Sequence, residues 1–331
     1  MKTGSLYVDG FDVYGQFGLY VVAGGWNELV AMPPLKTVKA NDWQEEDGIE
    51  ADLSAPVLNT REVSVKFAVA DEFAGLPDFL DYLSDGAYHT FSCDEIGRSY
   101  RLRLTQQPNM KAARILGQAT LKFADDFPLD GYTYLAPESD MAYDDGYTLD
   151  GIPLTSYGGR VLKGTFDEVV KSAAVKLNLL RNISILPGAN YDGDGSVTYK
   201  SKDVKLQCLM RAESLDGLWR NYDALLYDLI RPGERLLGVE ALKQEFPFYY
   251  KSCQVTKFEP TGRIWLQFSL TVTFTHDLRI GEENILLASE DGLLIFTQDN
   301  TNAVDMREDI AQLQPDSCVT SQPSESGYYA E

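Results

Sequence analysis

The chain is poor in the residues from which most enzyme sites are built. It has two histidines, His89 and His276, in 331 residues, so imidazole acid–base chemistry, triads and zinc centres start badly supplied. Its four cysteines, Cys93, Cys208, Cys253 and Cys318, show no CxxC spacing, which excludes the common zinc and redox motifs. Cys208 and Cys253 fall inside strand-like patterns and read as small apolar core residues. Basic charge is scarce as well: 29 Lys and Arg stand against 50 Asp and Glu, a formal charge of −21. Sequence-independent nucleic-acid binding and adhesion to anionic membranes need clustered cations, so the charge balance argues against both classes. No run approaches the roughly 18 apolar residues of a membrane span. The opening Met1-Lys2-Thr3-Gly4-Ser5-Leu6 lacks the apolar stretch of a secretory signal, so synthesis in the cytosol is expected.

What is present is a module written twice. Hydrophobic content of 44% and aromatic content of 11% can supply buried cores and exclude global disorder. Leu6-Tyr7-Val8-Asp9-Gly10-Phe11-Asp12-Val13 reads against Tyr147-Thr148-Leu149-Asp150-Gly151-Ile152-Pro153-Leu154, with Asp9 and Asp150 standing 141 residues apart. Glu62-Val63-Ser64-Val65 reads against Asp203-Val204-Lys205-Leu206 at the same spacing of 141. A period this long exceeds that of a solenoid, so each copy is large enough for its own core.

Each copy opens on an Asp-Gly pair between apolar residues, a strong signal for a tight hairpin turn. A Tyr-Gly pair follows, Tyr14-Gly15 in the first copy and Tyr157-Gly158 in the second. Then comes a long acidic connection, residues 40–59 and 182–201, of a length usually reserved for function or for ordering by a neighbour. Val63, Val65, Phe67 and Val69 alternate with smaller or polar residues, as do Val204, Leu206 and Cys208, the period of a half-buried strand. Leu76, Phe79, Leu80 and Leu83 fall at helical spacing, as do Leu215, Leu218, Trp219, Tyr222, Leu226 and Leu229. Further strands close each copy, ending at Phe123 and Phe274. These stand 151 residues apart, so about ten extra residues are expected in the second copy. The predicted fold is mainly β, a β-sandwich or partly rolled barrel with one packed α-helix per module. Modules are expected at 1–128 and 146–278, with a linker at 129–145. A hairpin extension turning at Asp291-Gly292 follows at 279–310, and a polar tail with few apolar residues at 311–331 is expected to be disordered or ordered only by a partner.

Chemical motifs are few. Asp192-Gly193-Asp194-Gly195-Ser196 resembles the start of a calcium loop, but its sixth position is Val197 where a glycine is needed, and Asp203 closes it in place of glutamate. A solvated turn is the expected reading, and a calorimetric titration with calcium should release no heat. His89 lies near Cys93 and Asp94, yet strand alternation alone places His89, Phe91 and Cys93 on one face, a structural arrangement. The acidic clusters Glu45-Glu46-Asp47 and Asp144-Asp145 sit in loop-like settings and read as solvated surface. No nucleophile elbow, phosphate loop or dinucleotide fingerprint is present. Catalytic, cofactor and metal residues are therefore expected to be none.

The order of elements does have a counterpart. A hairpin and long loop precede the strand Arg61-Glu62-Val63-Ser64-Val65-Lys66-Phe67. A helix is followed by the strands around Gly97-Arg98-Ser99-Tyr100-Arg101-Leu102-Arg103-Leu104 and Gly117-Gln118-Ala119-Thr120-Leu121-Lys122-Phe123. This pattern resembles the tail-tube-like module of long-tailed bacteriophages, in particular distal tail and baseplate hub proteins, over roughly residues 5–128 and 146–278. The resemblance implies a non-enzymatic virion tail component, assembled in the bacterial cytoplasm, whose copies form a trimer or hexamer around the tail channel. Other tail or baseplate proteins would be partners, and DNA a passing cargo that is not bound. Distal tail proteins usually carry one such module, whereas this chain carries two. By the same resemblance the long loops are the expected assembly contacts: Trp43, Glu45, Glu46, Asp47 and Asp52 in the first copy, Asp192 and Asp194 in the second. The rival expectation is a carbohydrate-binding or adhesion module, with Tyr132, Tyr134, Tyr143 and Tyr147 as a sugar platform.

Overall fold

Asp9 and Gly10, with φ of 49° and 86°, make the tight turn that their chemistry predicts. It joins β1 (Leu6–Val8) to β2 (Phe11–Asp12). The computed structural model describes residues 6–22, 24–69, 75–111, 117–141, 144–176, 180–181, 184–185, 187–188, 190–191, 197–276 and 278, with backbone alone at 107–111, 180–181 and 190–191. After the hairpin come α1 (Val13–Phe17), β3 (Leu19–Val21), α2 (Asn27–Val30), β4 (Ala40–Asn41) and β5 (Glu50–Ala51). They are followed by β6 (Arg61–Val69), α3 (Leu76–Leu83), β7 (His89–Cys93), β8 (Arg98–Lys111) and β9 (Gly117–Asp125). Seven strands form one antiparallel sheet in the order β2-β1-β7-β8-β9-β6-β3.

That order forces the sheet to curl. β2 and β3 are its two edges, yet only the stretch from Asp12 to Leu19 connects them. Fully extended, this link reaches about 23 Å, and less with five residues coiled into α1. A flat sheet would hold its edge strands roughly 29 Å apart. The first module is thus a partly rolled barrel, with Phe79 of α3 packed against Phe67 and Phe17 at ring distances of 5.8 and 5.1 Å.

The second module repeats the plan. It contains β10 (Tyr147–Leu149), β11 (Ile152–Pro153), a 3-10 turn (Leu154–Tyr157), β12 (Gly159–Val161), α4 (Thr165–Val170), β13 (Leu180–Arg181) and β14 (Asn190–Tyr191). β15 (Lys202–Ala212), α5 (Leu215–Leu229), β16 (Arg235–Val239), a 3-10 turn (Glu240–Leu242), β17 (Gln244–Glu259) and β18 (Ile264–Phe274) complete it. Its sheet runs β11-β10-β16-β17-β18-β15-β12, strand for strand the order of the first. On α5, Ser214 accepts from Gly217 N as an N-cap, and Tyr222 lies edge-on to Phe268 at 5.4 Å.

Small devices recur at matched places. Asp9 Oδ1 accepts from Thr90 N, and Asp150 Oδ1 from Leu236 N. Arg61 donates to the carbonyls of Leu29 and Ala31 at the end of α2, while Lys202 donates to those of Val169 and Lys171 at the end of α4, each cation capping a helix C-terminus. The β9 partner of Val63 is Phe123, and the β18 partner of Val204 is Val272. Phe123 therefore corresponds to Val272 and not to Phe274, and the second copy's surplus is about eight residues instead of ten, since only hydrogen-bonded register defines equivalence. The Tyr-Gly match also needs correction. The left-handed residues that end the first turn of each module are Gly18 (φ 66°) and Gly158 (φ 68°), and Tyr14-Gly15 lies inside α1. The constraint is a cap that needs positive φ, which glycine meets whatever residue precedes it.

Residues Met1–Ile280 form one compact unit. The expected hairpin at 279–310, the tail at 311–331 and the Asp192–Ser196 stretch lie outside the described residues. No described helix is long and apolar enough to cross a membrane. His89, Phe91 and Cys93 are buried in alternation along β7. The His89 ring bonds Asp9 at 2.7 Å and Asp85 at 3.1 Å, while burial, followed by Asp94 and Glu95, pushes the Cys93 thiol up to about 12.

The Asp9 site predicts an acid-limb dependence of stability. Burial alone would raise the Asp9 pKa, but hydrogen bonds from Thr90 N, the His89 ring and the Tyr82 hydroxyl outweigh it and hold the carboxyl below its ordinary 3.8. A depressed folded-state pKa contributes stability that is fully present above the unfolded value and is lost as pH falls through the folded one. Asp9→Asn, which tolerates the same turn backbone, should flatten the fall in urea midpoint below about pH 4. An unchanged slope would refute the assignment.

Candidate functional site

The most elaborate polar arrangement in the described structure joins the two modules. At its centre is Lys176, 5% exposed. Its ammonium lies 2.6 Å from the carbonyl oxygen of Trp43, 2.7 Å from those of Glu46 and Gly48, and 2.6 Å from Asp42 Oδ1. Three protons thus meet four oxygens, the saturation needed before a buried ammonium recovers its desolvation cost. Around it, Asp47 Oδ1 accepts from Tyr199 N at 2.7 Å, Gly48 N donates to Tyr199 O at 2.7 Å, and Ile49 N to Thr275 O at 2.8 Å. Thr198 Oγ1 donates to Gln44 O. The short β4–β5 pairing holds the base of this loop, and Trp43 Nε1 and Asn41 Nδ2 both donate to Glu50, which lowers the Glu50 pKa. Gly48 has φ of 74°, and a Cβ there would stand 1.5 Å from Thr275 O, so only glycine fits.

A second zone uses the bulges of β17. Register shifts between Tyr250 and Ser252 and between Val255 and Lys257 leave Lys251 and Thr256 out of the ladder. Both of their carbonyls are taken by the first module: Lys251 O accepts from Leu35 N at 2.9 Å, and Thr256 O from Asn27 Nδ2 at 3.1 Å. Beside them, the buried Tyr250 hydroxyl donates to Pro33 O, and burial pushes the Cys253 thiol up to about 11. In a third zone the β7–β8 turn seats on α5. Trp219 Nε1 donates to Ile96 O at 2.7 Å, and the Arg98 guanidinium lies 4.3 Å from the Trp219 ring while pairing with Asp223. Burial raises the Asp223 carboxyl and Arg98 opposes that rise.

The expected assembly residues distribute unevenly over this joint. Trp43 and Glu46 contribute main-chain carbonyls, Asp47 its carboxylate, and Glu45 is exposed. Asp52 is exposed and accepts from Ser54, which lowers its pKa. Asp192 and Asp194 lie outside the described residues. The sequence reading missed Lys176, Tyr199, Tyr250, Trp219 and Thr275. Of the tyrosines proposed as a sugar platform, Tyr132 and Tyr134 pack on Tyr227 of α5 at 6.1 and 4.9 Å, and Tyr147 belongs to β10; Tyr143 lies outside the described residues. Asp203 bonds Lys251 and Thr273. Among the described residues no group of three or more His, Cys, Asp or Glu could hold a metal ion. Chemically, the site fastens backbone to backbone.

Fold and joint together define a mainly β protein of two like, partly rolled sheets fused through a polar interface. No protein-family model and no curated protein matches the chain. Among solved structures it is similar to the SPP1 Dit (gp 19.1) protein, described as a paradigm of the hub adsorption apparatus in phages infecting Gram-positive hosts. The identity is 12%, covering 82% of this chain and 98% of that one, with a TM-score of 0.29, a likeness too slight to carry inference.

The joint makes a contrast testable. Lys176→Met keeps the chain length but leaves three carbonyls without their donor, so stability should fall by about 3 kcal/mol, read from the urea midpoint. Gly48→Ala should in addition abolish hydrogen-exchange protection of the Ile49 amide. Gly188→Ala, at φ of 80° with nothing within 4 Å, should cost only the left-handed penalty of about 1 kcal/mol. Equal effects at the two glycines would count against loop docking.

Proposed function

We propose that the chain is a structural component of a phage or prophage-derived tail, a distal tail or baseplate hub that works by assembling copies of itself into a ring around the tail channel. The observation that carries this reading is the joint itself: two modules of one strand order, fastened through different faces. The matched order supports descent of both halves from one duplicated module, in agreement with the resemblance of the sequence to tail-tube-like proteins. A module that binds its own like through unlike faces is built for head-to-tail assembly. Three chains would place six modules around the axis, and six chains twelve. The charge of −21 suits a channel wall past which DNA slides without adhering, because like charge repels phosphates. Other tail or baseplate proteins would stack on the ring, and the chain would act in the virion after assembly in the bacterial cytoplasm. No catalytic role is assigned.

Negative-stain electron microscopy of the purified chain, with mass from light scattering over a concentration series, tests the proposal. Annular particles of three or six chains with an open centre are expected. A strict monomer at every concentration and in mixtures with neighbouring tail proteins would overturn it.

A further inference from the structure

The joint consumes one face of each module and leaves the other. The first module gives its α2–Leu35 segment, the loop through Gly48 and the β7–β8 turn. The second gives the bulged stretch of β17, Lys176 with Tyr199, and α5. Each module possesses both kinds of face, so one of each kind remains unused.

The unused faces match the used ones position by position. Val175 bridges Tyr199 as Leu35 bridges Leu58; the Leu35 amide bonds the neighbouring module and its side chain is half-buried, whereas Val175 is 43% exposed. Leu242 sits in the β16–β17 turn where Ile96 sits in the β7–β8 turn, and is half-buried where Ile96 is fully buried. Gly188, with φ of 80°, stands at the place of Gly48, and a Cβ there would meet none of the described residues within 4 Å. On the first module, β8 shifts register between Leu104 and Gln106. Leu104 pairs Phe123 and Tyr250 pairs Val272, so the exposed Thr105 is the counterpart of Lys251, the bulge residue whose carbonyl receives Leu35 N. Leu104 is half-buried where Tyr250 is fully buried. Lys36 repeats Lys176: their amides donate to Val57 O and Thr198 O respectively, and the Lys36 side chain is exposed.

We propose that the second module of one chain docks on the first module of another copy in the geometry of the intrachain joint, with the Val175 amide donating to the Thr105 carbonyl and Lys36 standing in the place of Lys176. The contact rests on the assembly reading above and assigns the surfaces that carry it. The occupant is a second copy because, among the described residues, the surface that fits a bulged β17-type face is the α2–Leu35 face of a like module, and the second module carries that face unused. The contact is heterologous, so repeating it closes a ring or continues as a filament.

Site-directed cross-linking of the full chain tests this, in a Cys318→Ser background so that the remaining thiols are those of Cys93, Cys208 and Cys253, the first two buried. A Val175→Cys chain mixed with a Thr105→Cys chain and treated with a short bis-maleimide should give a covalent dimer that neither variant gives alone. A chain carrying both substitutions should give a ladder ending at a fixed rung for a ring. Val175→Arg, at an exposed position that leaves the monomer's circular dichroism unchanged, should weaken association at least tenfold by light scattering. Assembly without the 175–105 cross-link, or with equal cross-linking of Val175→Cys alone, overturns this contact and leaves the ring reading standing. A monomer with no cross-link under any condition overturns both.

Discussion

A buried ammonium is the constraint on which the joint turns. Lys176 is buried among the carbonyls of Trp43, Glu46 and Gly48, and desolvating a charge of that kind is tolerable only when every proton is bonded. The loop needs the lysine equally. Three of its carbonyls face inward with that ammonium as their donor, and an unsatisfied buried carbonyl costs a large part of a hydrogen bond. Each side is thus stable only when the other is in place, and two sheets that might have been separate domains become one compact unit.

The bulges of β17 solve a different problem. β17 lies between β16 and β18 inside its sheet, where the backbone groups of a regular strand are committed to the ladder. A bulge releases one residue from the pairing, and at Lys251 and Thr256 the released carbonyls are the two that the first module takes. An interior strand thereby presents acceptors sideways without opening an edge. Aromatic anchoring completes the joint at its far end, where Trp219 is fixed by a hydrogen bond at its Nε1 and by the Arg98 cation over its ring.

What could be read in the sequence was what local chemistry determines. The Asp-Gly turns follow from positive φ at both residues, the alternation from Val63 to Val69 from the two-residue period of a strand, and α3 and α5 from helical spacing. The joint was not legible, because Lys176 and Gly48 lie 128 residues apart and no local pattern marks such a contact. The loop at 40–59 stands out for its length and acidity, yet main-chain oxygens and two carboxylates, those of Asp42 and Asp47, do its work, and a sequence does not display which carbonyls point inward. One signal was present: Lys36 and Lys176, like Gly48 and Gly188, occupy the same place in the two copies. Equivalence at this level needs hydrogen-bonded register, which aligns Gly18 with Gly158 and Phe123 with Val272.

Charge decides what kind of interface such a chain can use. With a formal charge of −21, two copies repel at long range, and salt reduces that repulsion over a screening length of about 8 Å. Long-range attraction is therefore not what brings modules together. The intrachain joint relies on contacts that act only at hydrogen-bond distance: carbonyls on one ammonium, amides on bulge carbonyls, an indole on a turn. Interactions of this type discriminate by geometry and are little altered by net charge, because the groups are desolvated and paired locally. A highly acidic protein can in this way hold like modules together while keeping the rest of its surface repulsive toward nucleic acid and toward wrongly oriented copies.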